Sequence, residues 1–393
     1  MLLSAREAAQ RLGVKPATLY AYVSRGLLRS APAQDNRERR YYADDVERLK
    51  RQRRAGGTSA PPQPFDKLAP VLDTSLSLID NGRLYYCGQD ATLLAKTADL
   101  ESIAQLLWGK GASEQFHIGV LRSELHRLLA ASRLPATAMD RARMILTTLW
   151  MHDVGALDTS AQAVVHTGSR LVTALAAAVT HTLPNEGPVH HHLARAWNLD
   201  GEATELVRQC LVLTADHELN ASTYVARCIA STGASPYAAV LGALGALSGP
   251  KHGGETSNVE GLLREALSRK DIRGIIAARL QRGERIPGFG QPLYPDGDPR
   301  SVHILEAVKA SRYARQSAAV LRIANEVSEL IGRRPNVDFA LGFVSVTLKL
   351  PPGSGLGMFL VGRSVGWIAH VIEQYAAATL IRPRARYVGV LPV

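Results

Sequence analysis

Along most of this chain apolar residues recur three and four positions apart, the period of a helix with one buried face, and seldom in the strict alternation of a half-buried strand. Ser4 opens the first such stretch as an N-cap, with Ala8, Ala9 and Leu12 on one face and Gly13 at its end. Lys15-Pro16 opens a second, in which Leu19 and Val23 point inward, Lys15, Thr18, Tyr22 and Arg25 point outward, and Gly26 stops the helix. Two helices around a tight turn are helix-turn-helix geometry. A two-stranded wing is expected around Arg37, Arg39 and Arg40, then a helix from about Ala43 to Arg54. From Leu72 to Val393 nearly every segment between turns has the helical period, so this part is expected to be all-helical. One of its helices is marked by Ser235-Pro236, a cap followed by proline at the first helical position, ahead of the Ala/Gly-rich run Tyr237 to Leu247.

The helical pattern stops at Ala55-Gly56-Gly57-Thr58-Ser59-Ala60-Pro61-Pro62, a linker by composition. A chain of 393 residues is too long for one compact core, and its 46% apolar content suffices for two. Domains are therefore expected at 1–54 and 65–393, with a linker at 55–64. Charge separates them further. Residues 1–54 hold 13 Lys/Arg against 6 Asp/Glu, so most of the net charge of +11 sits in the first seventh of the chain. That is a nucleic-acid footprint or a solvated basic face, and DNA is the partner the helix-turn-helix favours. The longest uncharged apolar run, roughly Pro236 to Leu247, falls short of the ~20 residues that cross a bilayer, and Met1-Leu2-Leu3 leads into polar sequence without a signal peptide. The expected location is cytoplasmic, without a membrane partner. Cys87, Cys210 and Cys228 are odd in number and widely spaced, as reduced core or boundary residues are.

The candidate chemistry lies in the larger domain. There is no nucleotide-binding loop, no Gly-x-Ser-x-Gly elbow and no metal-ligand spacing. His190-His191-His192 point in different directions on a helix and lack a carboxylate or cysteine partner, so no metal is expected there. His217, in Ala215-Asp216-His217-Glu218-Leu219-Asn220, and His252, in Gly249-Pro250-Lys251-His252-Gly253-Gly254, instead sit at element ends. The helix between them is expected to carry the chain away from one loop and deliver His252 into a second. Further Gly/Pro-rich turns follow. They hold Ile286, Pro287, Gly288, Phe289, Gly290 and Gln291, then Asp296-Gly297-Asp298-Pro299-Arg300, then Asn336-Val337-Asp338, Gly362-Arg363 and Ile381-Arg382. Taken singly, Asp338 also suits a helix cap and the arginines suit interhelical ion pairs.

Two resemblances organise these residues. Residues 1–54 resemble the winged helix-turn-helix of MerR-type regulators and excisionase-like modules through Ala8, Leu12-Gly13-Val14, Thr18-Leu19, Tyr22, Gly26-Leu27-Leu28, Arg40-Tyr41-Tyr42 and Asp45-Val46-Leu49. This implies a recognition helix in the major groove and a wing on the phosphates. The long dimerising helix usual after such a module is replaced here by the linker. From Leu72 to Val393 the chain resembles citrate synthase, on five separate blocks in the right order. The resemblance implies a mainly α fold, a large helical domain with a smaller one inserted at roughly 220–330, in a homodimer. It implies condensation of acetyl-CoA with oxaloacetate, a tricarboxylic acid cycle reaction, with acetyl-CoA as cosubstrate and no permanently bound cofactor. Asp338 would be the general base, His252 the donor to the thioester oxygen, and His217, Arg300, Arg363 and Arg382 the oxaloacetate ligands, Arg382 reaching in from the partner subunit. Residues Ile286 to Gly290 would lie against the coenzyme A adenine.

The chain departs from the family pattern at Gln291, where the family carries its third catalytic histidine. An amide donates a neutral hydrogen bond to the ketone but cannot carry a proton. Losing such a donor costs on the order of 3 kcal/mol, so turnover is expected to be slow or absent. Two function classes follow: a synthase-type acyltransferase with a DNA-binding module attached, or a transcription regulator whose synthase-like domain senses oxaloacetate, citrate or an acyl-CoA. A 2-methylcitrate synthase, taking propionyl-CoA, differs by one methylene, worth only ~1–3 kcal/mol of discrimination.

Overall fold

The computed structural model of the chain describes residues 2–14, 19, 22–23, 28–32, 39–47, 72–109, 111, 115–131, 137–269, 271–385 and 387–389. It divides into two compact units, Met1–Leu72 and Asp73–Val393.

In the first unit, helix α1 (Ala5–Leu12) starts at Ser4 through a reciprocal capping box with Glu7 and ends at Gly13 in the left-handed conformation. Its buried face, Ala8, Ala9 and Leu12, packs with Leu19, Leu28, Tyr41 and Val46 into a core of its own. The wing has three strands rather than the expected two. Strand β3 (Arg39–Tyr42) pairs with β2 (Ser30–Pro32) on one side and with β1 (Leu2–Leu3) on the other, all antiparallel. The extra strand forms because Leu3 has to be buried, and pairing with Tyr41 brings it under α1. Arg29 binds Asp45 at 2.9 and 3.1 Å, tying β2 to the helical turn at 43–47.

The second unit is mainly helical but opens with a small sheet, which corrects the all-helical expectation. Strands β4 (Ser77–Asp80), β5 (Arg83–Tyr86) and β6 (Gln89–Asp90) run antiparallel in that order. Asn81 and Gly82 between the first two have φ of 47° and 73°, a two-residue hairpin turn that Asn-Gly forms readily. Then come α2 (Ala91–Leu94), α3 (Leu100–Trp108), α4 (Arg122–Leu129), α5 (Ala138–His152), α6 (Ala161–Thr180), α7 (Val189–Ala196) and α8 (Gly201–Thr214). The order continues with α9 (Ala221–Ala230), α10 (Pro236–Leu247), α11 (Gly254–Arg269), α12 (Ile272–Gln281), α13 (Pro299–Ala310), α14 (Ala314–Ile331), α15 (Val337–Thr347) and α16 (Ser354–Ala377).

Helix α16 is the axis of this unit and packs on α3, α6, α8, α9, α10 and α15. Both α6 and α16 are long and apolar enough to cross a membrane, a length the apolar run at α10 alone had not indicated. Their apolar windows are 78% and 89% buried inside the domain, so here they are its core. Two glycines let α16 approach the end of α8. A Cβ at Gly366 would stand 2.2 Å from the Ala215 carbonyl oxygen, and one at Gly362 would stand 2.2 Å from Thr214 Oγ1. Between them, on the same helix, is Arg363.

Candidate active site

His217 lies in the turn between α8 and α9, and that turn is clamped from both sides. From the sheet, Ser77 donates to Asp216 at 2.5 Å and accepts from the Glu218 N–H at 2.9 Å. From α16, Arg363 Nε donates to the Thr214 carbonyl at 2.7 Å and His370 stands 3.2 Å from the buried Asp216 carboxylate. Burial pushes His217 well below the usual imidazole value, and the charges of Arg300, Arg363 and His252 act in the same direction. It is neutral at pH 7.

The path from His217 to His252 is a hairpin of two helices, not one helix leading away. Asn220 caps α9 and Ser235 caps α10, with Pro236 at its start, and the antiparallel pair brings the chain back. His252 therefore returns to the start of α9, its Nε2 2.8 Å from Ser222 Oγ, which also accepts from Trp367 Nε1 at 3.1 Å. Its ring meets Phe359 edge-on, and Arg363 lies 4.8 Å over the same phenyl ring. Burial first, and then Arg363, lower its pKa to about 4.

Asp338 stands in the first turn of α15 but is not its cap. Asn336 caps the helix, accepting from the Asp338 and Phe339 N–H groups. That leaves the Asp338 carboxylate free to face the cluster, where it accepts from Thr256 Oγ1 at 2.6 Å. Crowding by protein atoms pushes its pKa up to about 6, against the Thr256 hydrogen bond and with the help of Glu255.

The two buried arginines differ. Arg300 forms an ion pair with the buried Asp298 at 2.8 and 2.9 Å; burial opposes its charge, but Asp298 outweighs this and raises its pKa. Arg363 is 1% exposed and makes no ion pair among the described residues; burial lowers its pKa to about 10, with the nearby Asp216 charge acting against that. A buried guanidinium with unspent donors is costly unless an anion completes it. Both arginines act electrostatically on His217 and on one another. The fold thus gathers His217, His252, Asp338, Arg300 and Arg363 from five separate segments.

Other expected residues stand apart. Arg382 is exposed on the irregular stretch after α16 and joins none of the cluster's hydrogen bonds or ion pairs. Ile286, Pro287, Gly288 and Phe289 are buried, with Phe289 packed edge-on against Phe339, so their side chains serve the core and the loop has mainly backbone to present to a ligand. Gln291 is half-buried, its Oε1 facing the Leu293 N–H at 3.4 Å. His190 and His192 are buried in α7, His192 lying 2.8 Å from Thr180 Oγ1; among the described residues no set of His, Cys, Asp or Glu converges as a metal site. Asp216, Ser222, Thr256 and Tyr294 were missed by sequence reasoning, because each acts through a partner remote in the chain; Asp298 stands only two residues from the Arg300 it pairs with, so its role was legible in the sequence.

In the N-terminal unit Arg39 and Arg40 are exposed on β3, Arg39 within 3.2 Å of Ser30 Oγ. Tyr22, expected to face outward, is partly buried against the small core, which its ring helps to cover. Lys15, Thr18, Arg25, Arg37 and the 55–64 linker lie outside the described residues.

A helical domain that buries two guanidiniums beside two neutral imidazoles and a carboxyl of raised pKa has the makings of an acyltransferase acting on an anionic acceptor. Residues 67–384 match the family described as citrate synthase, C-terminal domain, and residues 2–54 match a helix-turn-helix domain family. Citrate synthase of Haloferax volcanii is 33% identical over 358 residues, covering 81% of this chain and 93% of that protein. In structure, citrate synthase from Thermotoga maritima superposes with a TM-score of 0.68 at 27% identity, over 82% of this chain and 95% of that one. The ternary complex of carboxymethyl coenzyme A and oxaloacetate with citrate synthase from Thermoplasma acidophilum shares the fold at 24% identity and a TM-score of 0.63, over the same shares. The chain belongs to the citrate synthase family and is a citrate synthase-type acyltransferase.

Proposed function

We propose that the chain condenses acetyl-CoA with oxaloacetate, giving citrate and CoA, and that Asp338, His252, His217, Arg300 and Arg363 carry the reaction. The buried Arg363, unpaired with any carboxylate among the described residues, is the observation that weighs most. A dicarboxylate substrate completes its hydrogen bonds, and a planar guanidinium matches a carboxylate in pairs. Arg300 contributes the donors it does not spend on Asp298, and His217 a neutral hydrogen bond. Asp338, poised by its pKa of about 6, removes a methyl proton of acetyl-CoA. His252 is neutral, and in the tautomer whose Nε2 accepts from Ser222 its Nδ1 donates to the thioester oxygen as enolate character develops.

Arg382 suits delivery to a partner's site because it is exposed on the stretch beyond α16, and a homodimer completes two sites at once. The segment at 220–330 is the smaller domain that closes over the ligands, bringing the backbone of residues 286–290 toward coenzyme A. The N-terminal unit binds DNA through Arg39 and Arg40, and through Lys15, Thr18, Arg25 and Arg37.

A second reading, a regulator that senses oxaloacetate, citrate or acyl-CoA, is favoured by Gln291, which cannot take the charge a histidine carries there. Free thiol release from acetyl-CoA with oxaloacetate separates the two, measured for the native chain and Gln291→His. The condensation reading expects slow native turnover that rises in the variant. Ligand binding without turnover in either protein favours the sensor, and propionyl-CoA outpacing acetyl-CoA identifies the 2-methylcitrate reaction.

A further inference from the structure

The loop that carries Gln291 also carries Tyr294, which has no task in the scheme above. Tyr294 is 2% exposed, and its hydroxyl lies 2.9 Å from His217 Nε2. The Arg300 guanidinium sits 5.7 Å from the centroid of its ring. An oxo-acid oxygen bonded to His217 Nε2 meets the Tyr294 oxygen too, because the two atoms already share one hydrogen-bonding shell. The Gln291 amide carbonyl, by contrast, faces its own loop at Leu293, while the Gln291 backbone carbonyl accepts from the Tyr294 N–H at 2.9 Å and closes the turn that carries the ring inward.

We propose that Tyr294 is a catalytic residue of this chain, its hydroxyl donating to the ketone oxygen of the oxo acid in place of the histidine that the family carries at position 291. The inference rests on the condensation reading. In the step concerned, the C=C pair of the enolate held by His252 forms the bond to the ketone carbon, the thioester C=O is restored, and the ketone π pair moves onto its oxygen. That oxygen takes the phenolic proton and becomes the product hydroxyl, and the phenolate regains a proton from water when the product leaves. Burial holds the phenol well above its usual value, opposed by Arg300, so it is a neutral donor throughout the assay range. Its weak acidity also brings it nearer to the alkoxide it meets, a matching that favours proton transfer at that oxygen.

Tyr294→Phe keeps the ring and removes one oxygen. The test compares the native chain, Tyr294→Phe, Gln291→His and the double variant for thiol release, together with exchange of solvent deuterium into the acetyl-CoA methyl group, which reports on Asp338 and His252 alone. In the native background kcat is expected to fall by about tenfold to a hundredfold, with KM for oxaloacetate and methyl exchange nearly unchanged. In the Gln291→His background, where imidazole serves the same oxygen, the loss shrinks to about threefold or less. An equal loss in both backgrounds, a loss confined to KM, or exchange that falls in step with turnover overturns the assignment. Absence of native turnover at saturating substrates removes the condensation reading and this assignment with it. Native turnover untouched by Tyr294→Phe removes the assignment alone.

Discussion

Asp338→Asn should abolish turnover and at the same time make the protein more stable, by an amount that depends on pH. Burial raises the Asp338 carboxyl from an ordinary 3.8 to about 6, and such a shift corresponds to about 3 kcal/mol of destabilisation once the group is ionised in both states. Below about pH 4 the carboxyl is protonated whether the chain is folded or not, and it costs nothing. As pH rises toward about 6 the unfolded chain releases its proton while the folded chain holds on, so stability is lost through this window. Above it the loss is complete. Asparagine keeps an acceptor for Thr256 and never ionises, so the variant avoids the loss. Urea unfolding followed by far-UV circular dichroism, at fixed protein concentration because subunit association contributes, reads the difference. The gain should approach about 3 kcal/mol at pH 8 and vanish near pH 4. A gain independent of pH, or a loss at pH 8, would falsify the burial account of Asp338. The same protonation sets activity: native kcat/KM should fall below about pH 6 as the base takes up a proton.

Three other outcomes are expected. Gly366→Ala forces a methyl to within 2.2 Å of the Ala215 oxygen, so the urea midpoint should fall by an equivalent of about 1–3 kcal/mol, and oxaloacetate affinity with it as the His217 turn shifts; an unchanged midpoint would show that α16 is not held there. Arg382→Ala and Asp338→Asn should each be inactive as homodimers, whereas mixed dimers recover turnover at the one site that keeps both residues; no recovery on mixing and refolding argues against a shared site. Deleting residues 1–54 should abolish duplex binding and its steep salt dependence, judged by fluorescence anisotropy, and leave thiol release intact; binding that survives the deletion rules out the N-terminal unit as the DNA contact.

Local signals in the sequence set local structure. Ser4 with Glu7, Gly13, and Ser235-Pro236 act within one helical turn, so their helices begin and end where the residues say. The Asn81-Gly82 signal is equally local and also legible, but its two flanking strands are only four residues each, short against the helical segments that follow. The residue types for an anionic, carbonyl-containing substrate stood in the chain too: two histidines, one acid and several arginines in Gly/Pro-rich turns. Their division of labour was decided by packing. Which arginine keeps donors to spare depends on Asp298 forming an ion pair with Arg300, whereas Arg363 forms none among the described residues and spends its Nε on the Thr214 carbonyl. Whether Asp338 caps α15 or faces the cluster depends on Asn336 taking the cap. Whether His252 comes back to His217 depends on α9 and α10 folding against each other, and the place of Arg363 depends on Gly362 and Gly366 letting α16 touch the end of α8. Sequence determined the helices and the inventory of reactive groups, because those depend on neighbours a few residues away. Tertiary structure decided charge state, pairing and convergence, because burial and distance between remote segments exist only once the core has formed.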